Sequence, residues 1–261
     1  MATYQPLAPA PAVGIVVLRN FLAYRHAWRL FMTGFLEPVF FLFSIGIGIG
    51  AMIDGFDHHG TVVSYAAFVA PALLAVSAFN GAMMDSAFNV FFKLRYQKLY
   101  DGILATPLTT LDVSRGEITW GLLRGSVYSA GFLLIMVAMG YTTSWWALLA
   151  LPASVLIAFA FSAVFMAVTT YLKTWQDFEK ITLAQLPMFL FSATFFPITA
   201  YEGWVRWLVE ATPLYRGVVL CRELTLGTVT WDSALSVVYL AAMGVAGLWV
   251  VRRRLDTLLL S

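Results

Sequence analysis

The chain has 261 residues, 61% hydrophobic and 11% charged, with a mean hydropathy of +0.81. A soluble globular domain carries roughly 25% charged residues, so most of this chain belongs in a medium that does not demand charge, and a net charge of +2 is too small to argue for nucleic acid. A single cysteine, Cys221, excludes an intrachain disulfide and a cysteine-cluster metal site.

From the amino end, Met1 to about Ala12 carries three prolines and no charge, which reads as a loose tail and argues against a cleaved signal peptide. Val13–Arg29 mixes apolar and aromatic residues with Arg19, Arg25, His26 and Arg29, a composition suited to a helix lying in the membrane interface, or else to a cytoplasmic extension of the first span. A spanning helix needs about 20 mostly apolar residues. Six stretches qualify: Leu30–Met52, Val62–Phe88, Ile118–Met139, Trp146–Tyr171, Ile181–Ala200 and Ser233–Val251. Ile53–Gly60 and Gly140–Ser144 are short turns, and Lys173–Lys180 is short and charged. Lys93–Glu117 is long and polar, and Tyr201–Asp232 is long and mixed. The expected fold is an all-α polytopic membrane protein with six transmembrane helices. It divides into residues 1–29 (tail and interfacial helix), 30–251 (the six-span domain) and 252–261 (a cytoplasmic tail).

Basic residues collect on the cytoplasmic side of a membrane. With both termini placed there, 13 of the 16 basic residues fall on that side, and only Arg206, Arg216 and Arg222 lie outside. The expected location is therefore a multi-pass position in the inner or plasma membrane. Trp145, Trp146, Trp204, Trp207 and Trp231 fall at the outer boundary, as an aromatic belt does.

The residues of covalent or metal chemistry are scarce. The three histidines, His26, His58 and His59, form no HExxH pair, and no GxSxG occurs. None of Lys93, Lys98, Lys173 and Lys180 follows a glycine, so there is no P-loop. No metal site, bound cofactor or catalytic residue is expected. Intramembrane carboxylates are functional hypotheses by default. Two stand out, Glu37 in "GFLEPVFF" and Asp85 near the inner end of the second span, each within reach of Arg25, Arg29 or Lys93; structural anchoring and a role in gating or coupling are both open to them, anchoring being the simpler reading. Gly46 and Gly50 in "IGIGIG" have small-xxx-small spacing, for close helix packing or a dimer seam. Phe189, Phe191, Phe195 and Phe196 are candidates to line an apolar path.

"YQKLYDGILATPL" reads as a short amphipathic helix, Tyr96–Ala105, stopped by Pro107. Leu99, Ile103 and Leu104 fall near one face. Asp112 or Ser114 can cap the next helix, with Glu117 near its first turn. On these grounds alone a rigid lever and a solvated loop are equally good readings.

Three stretches carry a resemblance over nearly the whole chain: "EPVFFLFSIGIGIGAMI" (37–53), "YQKLYDGILATPLTTLDVSRGEITWGLLRG" (96–125) and "FFPITAYEGWVRWLVEATPLYRGVVLCREL" (195–224). Together they resemble the permease subunit of ABC-2 type exporters, in the branch of the NodJ-type lipo-oligosaccharide and daunorubicin-resistance permeases. The resemblance implies a non-catalytic permease subunit that moves a hydrophobic or amphipathic substrate outward: a drug, a glycolipid or a lipid-linked saccharide. ATP and Mg²⁺ would be bound by a separate ATP-binding partner, and a second permease copy or homologue would complete the path among membrane lipid. Tyr96, Gln97, Lys98, Leu99, Tyr100, Asp101, Gly102, Ile103 and Leu104 would form the cytoplasmic coupling helix, and Glu117 would pass motion to the third span. Tyr201–Thr228 would form two outer re-entrant helices between spans five and six. Pro197, Glu202, Trp204, Pro213 and Arg216 would belong to that gate. Two rivals follow from the residues: a proton-coupled secondary carrier, in which Glu37 or Asp85 titrates, and a membrane-embedded lipid-modifying enzyme, for which no polar catalytic cluster assembles.

Overall fold

The computed structural model describes residues 9–25, 36–53, 55–58 and 61–259. Arg29, His26, Asp54 and His59, and the side chains of Asp57 and His58, lie outside that set, so the expectations resting on them do too. Among the described residues four helices are long and apolar enough to cross a membrane.

Helix α1, Pro9–Tyr24, begins before the expected end of the amino-terminal tail. Helix α2, Leu36–Gly50, forms the described part of the first apolar run. Its middle, Leu42–Ile47, is wound as a wider π-helix. The expected turn after it is a small antiparallel hairpin, β1 Phe56–His58 with β2 Thr61–Val63, in which Phe56 faces Val63. Gly55 opens the hairpin at φ 122°, and a Cβ there would lie 2.5 Å from the Val63 carbonyl oxygen, so only glycine fits.

Helix α3, Tyr65–Tyr96, is the centre of the bundle. Ser64 caps it by accepting from the Ala67 N–H. It is apolar on every face because α2, helix α5 (Thr110–Ala138), helix α6 (Trp145–Thr169) and helix α9 (Pro213–Leu226) surround it. The helix does not stop near Phe88. It continues through two π-helical segments, Met84–Asn89 and Phe92–Tyr96, which carry Asp85, Asn89 and Lys93. Such insertions often mark functional positions.

The expected polar loop 93–117 is therefore mostly helix. Helix α4 spans Leu99–Leu104, shorter than the expected 96–105. Tyr96 closes α3, Gln97 follows it, and Lys98 turns the chain in the left-handed region at φ 46°. The cap of α5 is neither Asp112 nor Ser114. Thr109 takes that place, accepting from the Asp112 N–H, while the Asp112 carboxylate accepts from the Thr109 N–H at 2.9 Å. This capping box starts α5 eight residues before Ile118 and puts Glu117 two turns in.

Helix α7, Trp175–Leu190, is displaced from the expected fifth span. Pro187 lies inside it, and beyond Leu190 the chain runs irregularly through Ala193, which has φ 54°. Helices α8, Gly203–Ala211, and α9 meet at Thr212, whose hydroxyl caps α9, with Pro213 in its first turn. Helix α10, Trp231–Leu259, runs without a break across the expected boundary at residue 252.

Small residues set the closest contacts. A Cβ on Gly247 of α10 would lie 2.8 Å from the Ala163 carbonyl carbon of α6, and one on Gly244 would strike the Phe159 ring at 2.4 Å. Gly46 packs toward Ala66 and Gly50 toward Tyr65, both in the same chain, so that stripe serves α2–α3 packing.

Candidate functional site

The bundle has a basic end, where Lys93, Arg95, Lys173 and Arg252–Arg254 lie, and an opposite end where Trp145, Trp146, Trp204, Trp207 and Trp231 are all exposed. Each end and the middle carry a polar cluster.

At the basic end, Lys93 of α3, Glu117 of α5 and Asn20 of α1 close a buried triangle. Lys93 Nζ donates to Glu117 Oε2 at 2.6 Å and to Asn20 Oδ1 at 3.1 Å, and Asn20 Nδ2 donates to Glu117 Oε2 at 3.1 Å. Gly116 admits α1: a Cβ there would meet Val16 at 2.5 Å. Tyr100 is the anchor of α4. It is 1% exposed, and its burial, then the Glu117 charge beside it, push its hydroxyl well above the usual phenol range. The expected coupling residues therefore separate. Tyr100 points inward, Leu99, Ile103 and Leu104 are half-buried, and Tyr96, Gln97, Lys98, Asp101 and Gly102 are exposed. Gly102 has open space over its α-carbon.

Sequence reasoning offered Arg25, Arg29 or Lys93 as partners for the two intramembrane carboxylates. The structure pairs them otherwise. Asp85 forms a salt bridge with Arg124 of α5 and accepts from Asn89 Nδ2 at 3.0 Å. Gly121 lies under Asp85, where a Cβ would be 3.4 Å away. Glu37 accepts from Asn80 Nδ2 at 3.1 Å, and Asn80 Oδ1 accepts from Gln185 Nε2 at 2.9 Å. Asn80 stands halfway along α3, so Glu37 is deeper than its place in the sequence implies. Both clusters border one cavity of about 500 Å³ between α2, α3, α5 and α7, lined by Glu37, Phe41, Asn80, Phe88, Arg124 and Gln185 among others. The four phenylalanines expected to line a path do not line it. Phe189 packs instead on Phe41 and Phe195, with ring centroids 6.0 and 5.4 Å apart.

At the opposite end, Arg222 is not a loop charge but 5% exposed within α9. Its Nε donates to the Phe68 carbonyl at 3.1 Å and its Nη2 to the Ala193 carbonyl at 2.9 Å, while the guanidinium lies 3.7 Å from the Phe68 ring centroid. It holds the irregular segment after α7 against α3. Glu223 accepts from the Thr230 N–H at 3.0 Å and the Ser233 hydroxyl at 2.6 Å, fixing the start of α10. Arg216 lies 3.6 Å from Asp232. Of the other expected gate residues, Pro197 precedes a short 3₁₀ turn, Glu202 caps α8 by position, and Trp204 is exposed. A signal for Arg222 existed: it stands four and eight residues after the apolar Val218 and Leu214, on the buried face of a helix. Nothing comparable marks Asn20, Asn80, Arg124 or Gln185. Among the described residues no group of three or more His, Cys, Asp or Glu can hold a metal ion.

The family model described as "ABC-2 type transporter" matches residues 11–226. The chain is similar to Nodulation protein J of Rhizobium leguminosarum bv. viciae, 33% identical over 178 residues, covering 66% of this chain and 67% of that protein. It is 32% identical over 162 residues to Nodulation protein J of Rhizobium meliloti (strain 1021), covering 61% of this chain and 60% of that protein. Against Nodulation protein J of Bradyrhizobium diazoefficiens the identity is 28% over 178 residues, covering 67% and 66%. The matched part thus spans about two thirds or less of each relative's length.

Proposed function

Because this chain belongs to the ABC-2 type transporter family, we propose that it is the membrane-spanning permease subunit of an ATP-driven exporter for a hydrophobic or amphipathic substrate. ATP and Mg²⁺ act on a separate ATP-binding chain, and a second copy or a homologous permease completes the path. The basic end faces the cytoplasm in this reading.

The observation that carries it is the split of α4. One face is fixed by Tyr100, buried in the cluster that holds Val90, Val113 and Ile118, and the other, Asp101 and Gly102, with Gln97 and Lys98 in the turn before it, is exposed and covered by nothing in this chain among the described residues. A partner that grips the exposed face moves the buried one. The displacement then reaches α1, α3 and α5 together, because the Lys93–Asn20–Glu117 triangle joins all three. That is the mechanical requirement for coupling nucleotide closure to the spans. Residues 201–228 serve as the outer gate, held by Arg222 and Glu223.

The test is co-purification of the tagged chain in mild detergent, with the accompanying chains identified by mass spectrometry. The informative variant is Asp101→Arg with Gly102→Trp, which changes only the exposed face. Leu99 and Ile103 are unsuitable because they are half-buried. A P-loop ATPase that accompanies the native chain and is lost from the folded variant is the expected result. Absence of any ATPase from a well-folded preparation removes the reading.

A second reading has one observation in its favour. Glu37 sits beside Asn80, at a depth where a proton-coupled carrier keeps its carboxylate. In that case Glu37→Gln abolishes transport and the Asp101/Gly102 variant is silent.

A further inference from the structure

We propose that the cavity between α2, α3, α5 and α7 binds the head group of a cationic amphiphile, with Glu37 as the anionic contact. The proposal rests on the permease reading and narrows its substrate class.

The charges select the ligand. Arg124 and Asp85 neutralise each other at one side of the cavity. Glu37 at the other side has no salt bridge among the described residues, so these side chains leave one net negative charge. At membrane depth a carboxylate is costly unless it is paired and hydrogen-bonded. Asn80 supplies one hydrogen bond, and a carboxylate can accept about four. The amides are ordered along one direction: Gln185 donates to Asn80, and Asn80 donates to Glu37. That order leaves Gln185 Oε1 as an acceptor and one N–H on each amide as a donor, beside the carboxylate. An ammonium with adjacent hydroxyl or carbonyl groups satisfies all of these. An anionic head is repelled by Glu37 and finds Arg124 already engaged with Asp85.

The walls suit the rest of such a molecule. Phe41, Leu73, Val76 and Phe88 form the apolar lining, and aromatic faces attract cations. A volume of about 500 Å³ is that of a small-molecule site.

The test uses the full chain in nanodiscs of zwitterionic lipid. Cys221 is buried, so Cys221→Ala provides a background without native thiol. Met84 lines the cavity and is 50% exposed. Its replacement, Met84→Cys, gives a maleimide-reactive reporter. Three probes with one chain length are compared: dodecylammonium, dodecyl maltoside and dodecyl sulfate. The ammonium probe is expected to protect the reporter at about tenfold lower concentration than the other two, which corresponds to ~1.4 kcal/mol of differential binding. Glu37→Gln keeps an acceptor for Asn80 and removes that preference. Gln185→Lys keeps Glu37, supplies an internal cation, and removes it as well. Size-exclusion profiles confirm that the variants fold.

Equal protection by all three probes overturns charge selection by Glu37. Stronger protection by dodecyl sulfate, or no protection by any probe, overturns the site. Co-purification of the ATPase does not enter this measurement, so the site can fail while the exporter reading stands, and the reverse.

Discussion

Lys93, Asn20 and Glu117 show how a charge is kept inside a membrane bundle and what its removal does. Lys93 and Glu117 have side-chain exposures of 10% and 4%. Each charge costs several kcal/mol to desolvate, and the pair is tolerated because each partner and Asn20 satisfy the other. Lys93→Met leaves the Glu117 carboxylate buried and unpaired, which is expected to cost about 3–5 kcal/mol and to lower the melting temperature of the purified protein clearly. Lys93→Met with Glu117→Leu removes both charges and should recover most of that loss. A double variant as unstable as the single one would show that charge balance is not what the triangle supplies. Lys180→Ala is the contrast. Lys180 is 77% exposed, and although it and neighbouring backbone N–H groups hold the Asp177 carboxyl below its usual range, an exposed pair of this kind should leave the melting temperature unchanged. The triangle was not legible in the sequence. Asn20 and Glu117 are 97 positions apart, and a neutral asparagine in an amphipathic stretch gives no sign of a distant partner.

Helices are legible in this chain wherever apolar length decides them, and illegible at their ends. The apolar runs predicted for the second, third, fourth and sixth spans all lie within or beside observed helices, because about 20 apolar residues in sequence have few other stable arrangements. The extensions do not show in hydropathy: α3 runs on through Lys93 and Arg95, and α5 begins at a polar capping box. The short helix before Pro107 was visible from its periodicity, yet which face it buries was set by Tyr100, a residue that fits either environment. Close packing by glycine is the element-level feature most open to test. Gly247→Leu must push α10 away from α6, since the obstructing atoms are Ala163 and Val164 backbone that no rotamer change can move. Loss of folded protein on size-exclusion is expected. Gly48→Leu, at a position with nothing within 4 Å, should yield protein with an unchanged profile. If both variants behave alike, glycine at 247 is not there for close approach.

The number of crossings is a property of the whole chain, and the two shorter helices α2 and α7 decide it. A bilayer core is about 30 Å thick. At 1.5 Å per residue, the 16 residues of α7 cover only ~24 Å. The irregular segment after it supplies the remainder. Phe178, near the start of α7, packs on Phe88 of α3, and Ala193, beyond its end, is tied through Arg222 to the Phe68 carbonyl. The stretch from Phe178 to Ala193 therefore runs beside α3 from Phe88 to Phe68, a rise of ~30 Å. Non-helical backbone survives at such depth only when it is packed in protein, and Ser192, Ala193 and Thr194 are fully buried. By the same measure α2 runs from the level of Asn80 to that of Tyr65. Six crossings with both ends on the basic side is the topology we propose, and a labelling experiment tests it. In the Cys221→Ala background, single cysteines at Val62, Trp145, Trp204 and Trp231 should react with a membrane-impermeant maleimide on intact cells. Cysteines at Lys98, Lys180 and Arg253 should react only after permeabilisation. Trp204 and Trp231 are the decisive positions: if both react only after permeabilisation, together with Lys180, then α7 does not cross, the span count is odd, and α10 must run antiparallel to α6, against the parallel packing in which Gly244 meets Phe159 and Gly247 meets Ala163.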